Sequence, residues 1–164
     1  MPCLHYIVEW PDRNSTKRPS NAQFDLSDKE WMRLGNCLTV EEARTLWQLP
    51  NVHTVKGKRD RAILAVLLGC GLRRRELIDL NLDHMQRRED YWAIVDLLGK
   101  GGHIRTVPKP GWVKQTIDQW LSVEITHGRL FRCVCRRGVV WGTKITERVV
   151  WRVVKEYAEK PLGT

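Results

Sequence analysis

The feature that most constrains the fold is an unbroken apolar run, Ala62 to Leu68, that leads into a glycine-containing turn. A helix that is apolar on every side is typical of the centre of a core. Gly71 follows the run, and glycine readily adopts the left-handed backbone conformation that closes a helix. We therefore predict a central buried helix that ends at a tight turn.

Three consecutive arginines, Arg73, Arg74 and Arg75, follow this turn, and the apolar pattern resumes at Leu77. The arginines therefore stand at the start of the next predicted helix. Guanidinium groups on a rigid backbone suit bidentate contact with phosphate oxygens. A solvated basic helix start is the alternative for any one of them. Their position between two core segments favours an anion site.

The composition bounds the class of protein. A length of 164 residues fits one domain, with or without an appendage, and 42% hydrophobic residues suffice for a core. The formal net charge of +9 indicates an acidic partner such as nucleic acid, although many small soluble proteins are also basic. No apolar run approaches the roughly 20 residues of a membrane span, and no signal peptide is recognisable. We predict a cytoplasmic protein without membrane contact.

The five cysteines argue against a disulfide framework, because their number is odd and they are scattered. Cys133 and Cys135 alternate along a predicted strand. No second Cys or His pair lies nearby, so small packing residues fit them better than metal ligands do. We predict no metal and no cofactor, and we give a metal-dependent hydrolase little weight.

The chain divides at about residue 37. Residues 1–37 contain a polar stretch and no motif, and are predicted to form an arm or linker. From Leu38 a domain is predicted to extend to Thr164. Thr39 and Glu42 fit a capping box that opens its first helix. A charged lead-in, Lys56 to Arg61, then precedes the apolar run.

At Tyr91 the spacing of apolar residues changes from a helical pattern to one typical of β-strands. Strands are predicted at Tyr91–Leu98 and His103–Pro108, joined by the turn Gly99–Gly102. Lys100 stands at the hairpin tip, either to reach a ligand or as an inert turn residue. The remaining predicted elements are a helix from Pro110 to Val123, a short hairpin between Leu130 and Trp141, and a last helix capped by Thr146.

Two motifs carry a resemblance to a known family. The first is Gly71-Leu72-Arg73 followed by Glu76-Leu77, and the second is Gly99-Lys100-Gly101 followed by Arg105 and Val107-Pro108. In this order, between Leu38 and about Glu159, they resemble the catalytic domain of tyrosine recombinases, the phage integrase family. The resemblance implies a mainly helical α+β fold, the DNA breaking-rejoining catalytic core, with a small antiparallel sheet.

The resemblance also implies roles for individual residues. Arg73 corresponds to the first catalytic arginine, which binds the scissile phosphate and stabilises charge in the transition state. Lys100 corresponds to the hairpin lysine, a general acid toward the leaving 5′ oxygen. Glu76 corresponds to a structural residue that supports the arginine turn. Further DNA or phosphate contacts are predicted for Arg74, Arg75, Arg105, Lys58 and Arg59.

The sequence departs from the family pattern after the last helix. The family continues there with a His-x-x-Arg motif, a further His or Trp and a nucleophilic tyrosine, and the sequence ends at Thr164 before them. Tyr157 lies on the apolar stripe of that helix and is predicted to be a core residue. We therefore expect chemistry that needs a phosphotyrosine to be incomplete in this chain alone.

These observations leave several functions open. The first hypothesis is a DNA-binding fragment of a tyrosine-type recombinase. Its predicted partners are double-stranded DNA and either a second polypeptide with the remaining motifs or other recombinase protomers. The alternatives are a duplex-DNA-binding module without chemistry and a decayed remnant without activity.

Overall fold

The computed structural model describes residues 38–99, 102–123 and 125–159. The predicted arm, residues 1–37, and the hairpin lysine, Lys100, lie outside this range. The described elements, in chain order, are α1 (Val40–Gln48), α2 (Val55–Cys70), α3 (Arg74–Ile78), β1 (Met85–Arg87), β2 (Trp92–Leu98), β3 (Ile104–Lys109), α4 (Gly111–Leu121), β4 (Cys133–Val134), β5 (Val140–Trp141) and α5 (Glu147–Ala158). The predicted α+β architecture, mainly helical with a small antiparallel sheet, is confirmed.

Helix α2 is the centre of the domain. Every side chain from Ala62 to Leu67 is buried, as predicted from the apolar run. The helix ends at Gly71, whose φ of 61° is left-handed and whose N–H donates to the Leu67 carbonyl at 3.2 Å. The predicted tight turn is confirmed. Helices α1, α4 and α5 pack around α2, so the turn at its end is held by the core.

The charged lead-in is part of α2, which corrects the expectation that it precedes the helix. Thr54 is the N-cap, and its hydroxyl accepts a hydrogen bond from the Gly57 N–H at 3.0 Å. The helix therefore begins at Val55, two turns before the apolar run. Charged side chains from Lys56 to Arg61 consequently point to several sides of a helix that is partly buried.

Strands β1, β2 and β3 form an antiparallel sheet in that order. The predicted β2–β3 hairpin is present, and its register shifts between Ile94 and Leu97, where Asp96 has a left-handed φ of 54°. Strand β1 was not predicted, because Met85–Arg87 is too short and polar to show alternation. Ala93 and Ile94, at the end of the hairpin away from its turn, are buried. Leu98 and Ile104, next to the turn, are exposed.

Local signals at helix ends behave as predicted. The Thr39 N–H donates to Glu42 Oε2 at 2.7 Å and the Glu42 N–H donates to the Thr39 hydroxyl at 3.2 Å, which completes the capping box. Ile145 and Val150 are fully buried on either side of Thr146, the N-cap of α5. Both side chains therefore anchor the start of α5 in the core.

Two of the cysteines lie on the β4–β5 hairpin. Cys133 and Cys135 are half-buried there, and Cys133 packs against the core.

Among the described helices, none has the length and apolar character needed to cross a bilayer.

Candidate active site

The arginine turn is anchored from both sides. Leu72 and Leu77 are fully buried, and Arg73 between them is the N-cap of α3. The Arg73 N–H donates to Glu76 Oε2 at 2.9 Å, so the carboxylate of the first helical turn satisfies a backbone donor that the helix leaves unpaired. Arg73 is half-buried. Its backbone is therefore fixed at the point where the side chain leaves the core.

Glu76 joins this turn to the hairpin. Its Oε2 also accepts a hydrogen bond from Arg105 Nη2 on β3 at 2.8 Å. The Glu76 side chain is 4% exposed and the Arg105 side chain 45%. A charge-assisted bond between an almost fully buried carboxylate and a half-exposed guanidinium holds β3 beside the arginine turn and leaves part of Arg105 open to solvent.

The end of β2 approaches the same carboxylate. A Cβ added at Gly99 would lie 3.7 Å from Glu76 Oε1 and 3.3 Å from the His103 carbonyl oxygen. Among the described residues Glu76 Oε1 has no hydrogen-bond partner. The two motifs recognised in the sequence thus meet at one carboxylate. Lys100 follows Gly99 directly, and its predicted role stays a prediction.

The other predicted phosphate contacts are divided between the surface and the core. Arg74 and Arg75 are exposed on α3, beside the turn. Lys58 is half-buried, and its Nζ donates to Ser122 Oγ at 3.3 Å. Arg59 is only 5% exposed. The structure therefore brings Arg73, Arg74, Arg75 and Arg105 together and leaves Lys58 and Arg59 near the opposite end of α2, about 18 Å away along the helix.

Arg59 belongs to a buried ion pair. Its Nε and Nη2 both donate to Asp60 Oδ1, at 2.9 and 2.7 Å. Asp60 is fully buried, and its Oδ2 accepts from Lys56 Nζ at 2.8 Å and from the Tyr157 hydroxyl at 3.3 Å. We therefore assign Arg59 a structural role in place of the predicted phosphate contact.

This network also determines the chemistry of Tyr157. The side chain is 4% exposed, and burial together with the nearby Asp60 charge raises its pKa to about 12. A buried phenol that holds its proton this tightly is a poor nucleophile at neutral pH. Tyr91 is the other tyrosine among the described residues. It is exposed and precedes β2, roughly 25 Å from Gly99 along the strand.

A buried lysine at the base of the hairpin was missed in the sequence. Lys109, the last residue of β3, is 6% exposed and its Nζ lies 5.0 Å from the centroid of the Trp92 ring. Burial lowers its pKa. Lys114 Nζ lies 4.8 Å from the same ring. These cations stabilise the junction of β3 and α4, and no local pattern separates them from surface lysines.

The chain is similar to known proteins over most of its length. The family model described as "Phage integrase family" matches residues 36–162. Tyrosine recombinase XerD of Pseudomonas putida is 31% identical over 140 residues, which cover 79% of this chain and 45% of that protein. Tyrosine recombinase XerC of Myxococcus xanthus is 43% identical over 103 residues, covering 63% of this chain and 33% of that protein.

A solved structure shares the fold. The crystal structure of XerA recombinase aligns with a TM-score of 0.54 and 20% sequence identity, over 77% of this chain and 43% of that one. The aligned part of the chain spans less than half the length of the XerD and XerC proteins.

Proposed function

The chain belongs to the phage integrase family, and from this premise we propose that residues 38–159 form the phosphate-binding part of a site that breaks and rejoins DNA strands. The observation that carries the proposal is the Glu76 carboxylate, which bonds both the Arg73 backbone and the Arg105 side chain. It holds two guanidinium-bearing residues from separate motifs at one place. Two such forks suit the non-bridging oxygens of a phosphodiester.

The proposed mechanism depends on stabilising the negative charge that develops on the phosphate during strand cleavage. Attack on the phosphorus increases the negative charge on the phosphate oxygens, and a preorganised cation stabilises the transition state more than the ground state. Arg73 takes this role, with its backbone fixed by Glu76. Arg105 binds a phosphate oxygen from the hairpin side. Lys100 is proposed to protonate the leaving 5′ oxygen.

The nucleophile is proposed to lie outside residues 38–159. Tyr157 is buried and bonded to Asp60, and Tyr91 lies at the far end of β2. In the family the attacking tyrosine and a second arginine follow the helix that corresponds to α5. Either later residues of the same protein, a second polypeptide or another protomer would supply them.

A duplex-DNA-binding module without chemistry is the second candidate. The observation that favours it is the exposed pair Arg74 and Arg75 beside the turn, together with the net charge of +9. Phosphate contacts of this kind give affinity without reading base sequence. Both candidates predict DNA binding. They differ in whether strand cleavage appears when the second arginine and the attacking tyrosine of the family are supplied.

Duplex binding is expected to weaken steeply with salt. Three or four phosphate contacts predict a slope of about −3 in a plot of log affinity against log salt, since each contact contributes about −0.9. Fluorescence anisotropy with a short duplex of mixed sequence, between about 50 and 200 mM salt, measures this slope. The double variant Arg73→Ala/Arg105→Ala should lower its magnitude by about two. An unchanged slope in that variant would argue against the assigned phosphate contacts.

The 164-residue chain alone is expected to form no covalent adduct with a suicide DNA substrate that traps phosphotyrosyl intermediates. A denaturing gel with labelled DNA measures the adduct, and Tyr157→Phe should bind DNA as the unaltered chain does. An adduct that disappears in Tyr157→Phe would overturn the assignment of Tyr157 to the core. Cleavage restored by a polypeptide that carries the remaining family motifs would favour the recombinase over the binding module.

A further inference from the structure

Strand β2 contains one residue more than β3 between two of their matched pairs. Ile94 lies opposite Val107. Three residues later Leu97 lies opposite Arg105, which is only two residues from Val107 on β3. The extra residue forms a β-bulge, and bulges next to active sites change the direction of side chains. Within the bulge Asp96 has a φ of 54°, and among the described residues it alone is left-handed without being glycine.

The bulge determines which side chain lies against Arg105. Continuing the ladder from Ile94 without the extra residue would bring Asp96 opposite Arg105, since both strands advance by two residues. The Asp96 carboxylate would then compete with Glu76 and with a phosphate for the guanidinium. With the bulge, Leu97 takes that position at 3% exposure, and Asp96 is exposed to solvent.

The bulge also determines which residue lies beside Glu76. The Gly99 N–H donates to the His103 carbonyl at 2.8 Å, and a Cβ added at Gly99 would lie 3.7 Å from Glu76 Oε1. Without the bulge Leu98 would lie opposite His103, in the place of Gly99. Its branched side chain would then contact the carboxylate that holds Arg105.

We propose that Asp96 is a positioning residue for the phosphate site. Its left-handed backbone maintains the bulge, and the bulge keeps Leu97 against Arg105. The inference rests on the proposed function and adds to it a residue that does not itself contact the phosphate. Aspartate adopts the left-handed conformation more readily than most residues, because its short polar side chain can bond the nearby backbone. A β-branched residue at this position would favour an extended strand without the bulge.

Asp96→Val is therefore expected to weaken duplex binding about tenfold and to reduce the magnitude of the salt slope by about one, as loss of the Arg105 contact does. Asp96→Gly should keep the affinity of the unaltered chain, because glycine adopts the left-handed conformation without strain. The matched control is Gln86→Val, at an exposed position of β1 in the same sheet whose φ is not left-handed. It should also bind as the unaltered chain does. Anisotropy with a short mixed-sequence duplex at several salt concentrations measures these effects.

Deletion of Asp96 separates the register from a general loss of structure. The deletion removes the extra residue, so Leu97 stays opposite Arg105 in a ladder without a bulge. We expect the deletion variant to bind DNA nearly as well as the unaltered chain and much better than Asp96→Val. A residue that served only stability would give the opposite order, since losing a residue from a strand disturbs it more than replacing one.

A cross-strand disulfide reports the register directly. Gly99 and His103 form a hydrogen-bonded pair, so Leu98 and Ile104 form the next, non-hydrogen-bonded pair, with Cα atoms about 4.5 Å apart. This separation is within the range of disulfides. Leu98→Cys/Ile104→Cys should form the bond on oxidation, as identified by peptide mass spectrometry. Adding Asp96→Val should prevent it, because residue 98 then lies opposite His103, whereas deletion of Asp96 should preserve it.

The proposed role and the proposed function can fail separately. Unchanged affinity in Asp96→Val, or a disulfide that still forms in its presence, would overturn the positioning role. Weaker binding by Arg105→Ala in the same experiment would leave the proposed function standing. If Asp96→Val does not fold, the deletion decides, and loss of affinity in a folded deletion variant would overturn the role. Absence of salt-dependent duplex binding by the unaltered chain would overturn the proposed function, and the positioning role with it.

Discussion

Replacing Asp60 by alanine is expected to lower the free energy of unfolding by about 3–5 kcal/mol, the cost of removing one partner of a buried ion pair. The Asp60 carboxylate is fully buried and accepts hydrogen bonds from Arg59, Lys56 and Tyr157. Without it the Arg59 guanidinium, also buried, loses its counter-charge and both of its hydrogen bonds to Asp60. The network also ties α2 to α5, because Tyr157 lies on α5. Urea denaturation followed by circular dichroism measures the loss.

Asp118→Ala is the matched control for this prediction. Asp118 is also a helical aspartate paired with a lysine four residues away, but its side chain is 50% exposed. Exposed pairs of this kind contribute at most about 1 kcal/mol. Asp60→Asn keeps the shape and removes the charge, so it should fall between the two and remain measurable if the alanine variant does not fold. Equal losses for Asp60→Ala and Asp118→Ala would show that the buried network contributes no more than a surface pair.

The parts of the fold that follow from neighbouring residues could be predicted from the sequence. The Thr39 capping box, the left-handed Gly71 and the β2–β3 hairpin each depend on a few consecutive side chains and backbone angles. Such signals act between residues that are close in sequence, and tertiary packing did not override them here. The buried character of α2 likewise follows from the unbroken apolar run.

The role of the charged segment could not be predicted in the same way. Arg59 and Asp60 stand in a basic run that is typical of a protein surface, whereas they lie inside because α5, about a hundred residues later, packs over them. The i,i+4 spacing of Lys56 and Asp60 was the available local signal, and it predicts a helical pair without predicting its burial. Long-range packing decides such cases.

The residues of the candidate site could be predicted from the sequence, but their arrangement in space could not. The resemblance implied a phosphate-binding Arg73 and a supporting Glu76. That Glu76 also bonds Arg105, and so joins the two motifs, depends on the path of the chain between them. The solvent exposure of each arginine also could not be predicted from the sequence. Arg75 and Arg59 are chemically identical, but Arg75 is exposed and Arg59 is buried.

Glu76→Ala is expected to weaken duplex DNA binding about tenfold, although it removes a negative charge from the neighbourhood of two arginines. Coulomb's law alone predicts the opposite sign, because the lost carboxylate repels phosphate. We expect positioning to outweigh repulsion, since the Arg73 N–H and Arg105 both lose their acceptor and Arg105 becomes free to move. The unsatisfied groups should also lower the free energy of unfolding by about 2–3 kcal/mol. Anisotropy titrations at several salt concentrations and urea denaturation measure the two effects.

Two further variants separate positioning from charge in this experiment. Glu89→Ala removes an exposed carboxylate from the turn before β2, and it should leave affinity unchanged or slightly higher. Glu76→Gln keeps an acceptor for the Arg73 N–H while losing the charge that holds Arg105, so its loss of affinity should have the same sign and be smaller. A salt slope reduced by about one in Glu76→Ala would identify the lost contact as that of Arg105. Tighter binding in a folded Glu76→Ala variant would mean that repulsion dominates and that the carboxylate does not position the phosphate site.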